Sequence, residues 1–219
     1  VEELPEKFDE YEKLTKEGNY LKAREIVLLL TEKSQHIFHL ITEVPSLLTE
    51  IQTKIPTAIY ELKSGQREME EKSYYLHHLE LTDHLEELEK ELEKLQEEIA
   101  NLNVSYVATR IEEINDEIDN YYDLLEKEVY AKSYVDQNTD STYEILNEVM
   151  RSTKEISHEA VYVQHSYQLP DDEAEIPKIG LKQLEMIQKR FELLLTRVKE
   201  EKSAYSSLQE ELIEIGNEI

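Results

Sequence analysis

Cysteine and tryptophan are absent from this chain of 219 residues, which holds only four glycines and five prolines. Without cysteine there is neither a disulfide framework nor a thiolate metal site, which suits the cytoplasm but also some secreted coiled coils. So little glycine and proline leaves scant material for hairpins or phosphate-cradling loops. A Rossmann or P-loop enzyme is all but excluded, and the expected fold is all-α. No stretch resembles a signal peptide or a run of about 20 apolar residues that could span a bilayer. Basic residues are also in short supply: 24 Lys and Arg face 50 Asp and Glu, a formal charge of −26. Such an excess repels a nucleic-acid backbone and a bare anionic membrane, so neither is an expected partner.

What is present is periodicity. With 34% charged and 39% hydrophobic residues, the chain can build long amphipathic elements but not a thick core. Leu81, Leu85, Leu88, Leu92, Leu95, Ile99 and Leu102 alternate steps of four and three, a heptad stripe. A second stripe runs Val104, Val107, Ile111, Ile114, Ile118, Tyr121, Leu125. A third runs Leu184, Ile187, Phe191, Leu194, Val198, then Tyr205, Leu208, Leu212 and Ile215, with Glu201 as its polar member. Residues 20–44 carry extra apolar side chains beside the stripe, the wide face of a helix with two neighbours. This periodicity reaches both ends, as expected for an internal piece of a longer protein.

Turn chemistry places the reversals. Gly18-Asn19 reads as a helix stop followed by a new start, and "LNVS" at 102–105 stands at the matching place later. Gly216-Asn217 is a third candidate. Pro45 with Pro56, and Pro170 with Pro177, are each expected to interrupt a helix. The second stripe can be extended through Glu128, Lys132, Val135, Thr139 and Thr142 as far as Val163, a helix of roughly 95 Å. Its polar linking positions favour a turn near 134–141 instead.

"GNYLKAREIVLLL" and "LNVSYVATRIEEI" superpose at an offset of 84, pairing Asn19 with Asn103, and "SYYL" at 73–76 recurs as "SYQL" at 166–169. A loose period built from three helices reads as tandem antiparallel triple-helical bundles joined by continuous helices. The expected repeats are 1–76, truncated at its start, 77–169, and 170–219 as the opening of another. The stripe shifts by five residues between Leu76 and Leu81, so one helix is expected to rotate its apolar face there and pass unbroken from one repeat into the next.

Chemical sites find little support. His77, His78 and His84 are badly spaced for sharing one ion, and His36 with His39 lacks a second cluster to close a shell. Glu155 and His158 form the sole Glu-x-x-His pair, too few for a di-iron carboxylate bundle. Seam tyrosines such as Tyr20, Tyr74, Tyr121 and Tyr205 read as packing residues whose hydroxyls reach the rim. No catalytic, cofactor or metal residues are expected, and no enzyme.

Three stretches carry a family resemblance: "GNYLKAREIV", "VPSLLTEIQTKIPTAIYELKSGQREMEEKSYYLHHLE" and "YYDLLEKEVYAKSYV". They resemble the cytoplasmic region of EzrA, the septation ring formation regulators of low-GC Gram-positive bacteria. The most specific elements are Gly65, Arg67, Glu68 and Met69, then Tyr74, Leu76 and His78. Gln66 and Ser73 depart from the family pattern, and the family's Gln-Asn-Tyr septal patch has no clear counterpart. The resemblance implies an elongated spectrin-like rod held by an N-terminal membrane anchor that is absent from this chain. It also implies a role at the cytoplasmic face of the membrane at the septum: restraining assembly of the tubulin-like protein FtsZ and linking its ring to the membrane and to cell-wall synthesis proteins. The joint between repeats, or a partner surface, is expected at the seven matched residues, with Tyr167 and Leu169 as its second occurrence. A secreted or surface-attached coiled-coil adhesin is the alternative.

Overall fold

The computed structural model describes residues 3–167 and 170–219, and every regular element among them is helical. The helices are α1 (Glu3–Lys16), α2 (Tyr20–Thr49), α3 (Ile55–Glu71), α4 (Leu81–Ala100), α5 (Val104–Tyr167), α6 (Asp171–Glu200) and α7 (Tyr205–Glu218). A π-helical turn, Glu50–Lys54, joins α2 to α3, and a short 3-10 turn, His77–Leu79, precedes α4. The chain divides into two compact units, each discontinuous in sequence: residues 1–59 with 85–117, and residues 60–84 with 118–219. Helices α3, α4 and α5 each contribute residues to both.

The stripes are the cores. From Leu81 to Ile99 all six expected α4 positions are buried, as are Val104, Val107, Ile111, Ile114, Ile118 and Leu125 on α5. Each such aliphatic side chain contributes on the order of 2 kcal/mol by leaving water. In the first unit Ile51, Ile55 and Ile59 are buried too, and Ile51 and Pro56 share a groove with Leu92 of α4. In the second unit Ala131, Val135, Leu146 and Met150 of α5 form one cluster with Leu184, Ile187, Phe191 and Leu194 of α6 and with Tyr205, Leu208, Leu212 and Ile215 of α7.

Three helices end on the same hydrogen bonds. After α1, Gly18 N donates to Thr15 O at 3.2 Å and Asn19 N to Leu14 O at 2.9 Å. After α3, Ser73 N and Tyr74 N donate to Glu70 O and Met69 O, both at 3.0 Å, and after α4 Leu102 N and Asn103 N donate to Ile99 O and Glu98 O, again at 3.0 Å. This is the Schellman arrangement, whose pivot residue must be left-handed. The pivots have φ of 76° at Gly18, 65° at Ser73 and 64° at Leu102. Gly18-Asn19 and "LNVS" are therefore the reversals that the sequence suggested. Leu102, counted there as the last member of the α4 stripe, is 62% exposed at the turn.

Four expectations are corrected. The helix expected to run unbroken from Ser73 to Leu81 does not exist: α3 stops at Glu71, and left-handed Ser73 and Glu80 (φ 49°) bracket a reversal. The five-residue shift is absorbed by that reversal, which leaves both Leu76 and Leu81 only 1% exposed. The turn favoured near 134–141 is absent as well, because α5 runs on to Tyr167. Within that polar run Asn138 Nδ2 donates to Tyr134 O at 2.8 Å and Thr139 Oγ1 to Val135 O at 2.6 Å, so the side chains bond back to their own helix.

The prolines and the last glycine also differ from expectation. Pro45 lies inside α2 and Pro177 inside α6. Pro56 opens α3 directly after the π-helical turn, where Ile55 N donates five residues back to Glu50 O. That wider turn accommodates a residue with no N–H to give. Of the four, Pro170 alone lies outside a helix, as the N-cap of α6. Gly216-Asn217 lies within α7, and the reversal between α6 and α7 is made instead by Glu201, left-handed with φ 53°.

Candidate functional site

The stretch on which the family resemblance is sharpest becomes, in the second unit, the end of α3 and the turn after it. Gly65 lies mid-helix, and apart from its chain neighbours and its own helix backbone nothing comes within 4 Å of where a Cβ would stand, so neither a close approach nor a positive φ calls for glycine there. Arg67 and Glu68 are exposed, and Met69 is half-buried. The Met69 carbonyl accepts from both Lys72 N and Tyr74 N, closing the helix. Leu76 is buried. Thr82 Oγ1 donates to Gln66 Oε1 at 3.1 Å, tying the start of α4 to α3. Leu169, and the side chain of Tyr167, lie outside what the structure describes.

Of these residues, the structure brings Tyr74 and His78 to one place, against three residues that the sequence reading did not select: Glu128, Lys132 and Tyr205. Glu128 is 2% exposed, the sole charged or polar residue in the buried set among the described residues. Its carboxylate accepts from Tyr205 N at 2.8 Å and from Ser206 N at 3.3 Å, so it caps α7 from a neighbouring helix. Those are two of the amides that a helix N-terminus leaves without an intrahelical partner, and the negative charge meets the positive end of the helix dipole. His78 Nε2 lies 3.5 Å from the same carboxylate.

One helical turn further on, Lys132 Nζ donates to Lys72 O at 3.1 Å, at the closing turn of α3. The same ammonium sits 4.6 Å from the Tyr74 ring centroid and 5.1 Å from that of Tyr205. The two rings meet edge to face at 5.5 Å. Burial, then the negative charge of Asp136, raises the pKa of both phenols, so both stay protonated donors well past neutral pH. One signal for this cluster was present in the sequence. Glu128 and Lys132 stand at seam positions four apart, and a charge forced into a core must find a partner.

Two other places gather aromatic or charged side chains. Between α1 and α2 a groove of about 890 Å³ is lined by Phe8, Tyr11, Val27, Leu30 and Phe38. His39 at its edge pairs with Glu43 at 3.2 Å. In the first unit Arg110 holds Glu91 through two nitrogens at 2.7 and 3.0 Å and also reaches Glu113 and Glu117 at 2.9 Å. The three carboxylates, bonded to the guanidinium, raise its pKa. Among the described residues no group of three or more His, Asp or Glu is placed to hold a metal ion, and no helix is long and apolar enough to cross a membrane.

Helix caps, ring contacts and ion pairs on two compact helical units define an all-α, helical-bundle class of protein. The comparisons narrow the class to a family. The family described as "Septation ring formation regulator, EzrA" matches residues 1–219, and the chain belongs to it. A septation ring formation regulator EzrA from Geobacillus sp. (strain WCH70) is 38% identical over 212 residues, covering 97% of this chain and 37% of that protein. Its namesake from Geobacillus kaustophilus is 39% identical over 203 residues, 93% and 36% of the two chains. One from Listeria monocytogenes serotype 4a is 30% identical over 215 residues, 98% and 38%. The chain thus spans under two-fifths of the length of these relatives. No solved structure matches.

Proposed function

We propose that residues 1–219 form a non-enzymatic rod segment of a cell-division regulator, working as a spacer and docking surface at the cytoplasmic face of the membrane at the septum. The whole protein would restrain assembly of FtsZ and link its ring to the membrane and to cell-wall synthesis proteins. Spectrin-like repeats at 1–76, truncated at its start, and at 77–169, with 170–219 as the loop and first helix of a following one, would supply the rod, with the membrane reached through an anchor elsewhere. The surface residues proposed for docking are Arg67, Glu68 and His78.

The observation that carries this reading is α5, whose 64 residues are shared by both compact units with no loop between them. A helix transmits position, whereas a flexible linker loses it. Four reversals within one chain, at Gly18, residues 72–80, Leu102 and Glu201, speak against the unbroken parallel coiled coil of a fibrous adhesin.

Co-sedimentation with FtsZ polymers tests the assignment. Residues 1–219 alone should bind polymers weakly and leave assembly unchanged, while the longer rod inhibits it. Full inhibition by the segment alone would sink the spacer reading and locate the active surface within it.

A further inference from the structure

Glu128 and Lys132 stand on one face of α5, four residues apart, and each grips the end of a different helix. The carboxylate holds the first amides of α7, and the ammonium holds a carbonyl at the close of α3. Each charge is matched to the dipole of the end it meets, negative at an N-terminus and positive at a C-terminus. The two ends also touch one another, through the Tyr74–Tyr205 contact at 5.5 Å with Lys132 against both rings. His78, from the turn after α3, also closes on Glu128, at 3.5 Å.

We infer that Glu128 and Lys132 act as one latch, so that the end of α3 and the start of α7 open and close together rather than as two separate caps. The inference deepens the spacer reading, since α5 holds the ends of both α3 and α7 at this point, and it is tested without FtsZ. If Glu128 lets go, the Tyr205 and Ser206 amides lose their acceptor and the first turn of α7 frays. Tyr205 then shifts, Lys132 loses one of its two rings, and its hold on Lys72 O weakens. Fraying at α3 travels back along the same contacts.

Amide hydrogen exchange on the intact 219-residue chain, resolved by NMR, tests this. Glu128→Gln should speed exchange of the Tyr205 and Ser206 amides by about tenfold or more, because a charge-assisted acceptor is lost. It should also speed Ser73 and Tyr74, whose own acceptors, Glu70 O and Met69 O, are untouched, by roughly threefold or more. Amides in residues 88–95 of α4 should stay unchanged. Lys132→Met, at a half-exposed position, should fold and produce the mirror result, with Ser73 and Tyr74 most affected and Tyr205 and Ser206 following. The latch is overturned if either variant loosens only its own helix end, or loosens every helix equally. Should Glu128→Gln fail to fold, Lys132→Met decides alone, through whether the α7 amides follow.

Discussion

Helix α5 carries a charged anchor in each unit, Arg110 in the first and Glu128 in the second, and the two are held in different ways. Arg110 keeps about a fifth of its side chain in water, at 21% exposure, and its three carboxylate partners are 30–56% exposed. Glu128 is almost fully enclosed, and its hydrogen-bond partners are backbone amides of the first turn of α7, which have no intrahelical acceptor. The same class of interaction therefore has different stakes. Screening and side-chain entropy leave an exposed network worth little, while a buried carboxylate that loses its donors, or amides that lose their carboxylate, bear the full desolvation penalty.

Breaking the buried side should cost most. Glu128→Ala strands the Tyr205 and Ser206 amides and should destabilise by about 3 kcal/mol, read as a lower urea midpoint followed on α7. Leu102→Gly, at the left-handed pivot in the first unit, should act in the opposite direction, raising stability by about 1 kcal/mol in the same titration. Gly65→Ala in the second unit should gain up to about 1 kcal/mol by helix propensity, since nothing opposes the added methyl. A loss there instead would point to a contact role for Gly65. Arg110→Ala should cost about 0.5–1 kcal/mol, shrinking further in 1 M salt.

The smallest effect is with pH. Tyr74 and Tyr205 have pKa values raised above the ordinary tyrosine range by burial. The folded chain therefore holds these two protons more tightly than the unfolded chain. Stability from this source is complete below about pH 10 and falls as pH rises through the folded values. Tyrosinate absorbance should lag that of an unfolded control, and Glu128→Ala, which removes a nearby negative charge, should narrow the lag for Tyr74.

Most of the core was legible in sequence because burial on a helix leaves a periodic trace. The α4 stripe and the first part of the α5 stripe are buried almost residue for residue. Gly18 was legible because glycine announces a left-handed pivot. Ser73 and Glu201 were not, since a few hydrogen bonds and buried neighbours can hold a non-glycine residue there at modest strain. The polar links on α5 misled for a related reason. Asn138 and Thr139 look like helix breakers until their side chains are seen bonded to carbonyls of their own helix. Gly65, Arg67 and Glu68, prominent in the family pattern, take no part in the cluster that Tyr74 and His78 form with Glu128 and Lys132.

The amino-acid sequence by itself determined the all-α class, the buried stripes of α4 and of the first part of α5, and the family, because heptad spacing and a charged outer face are local properties that admit one fold class. Only the tertiary structure decided the reversals at Ser73–Glu80 and at Glu201, and what Glu128 and Lys132 are for. Those two are isolated charges on a seam until α7 and the end of α3 arrive from 77 and 60 residues away to supply an amide and a carbonyl, and no local pattern encodes a partner so distant in the chain.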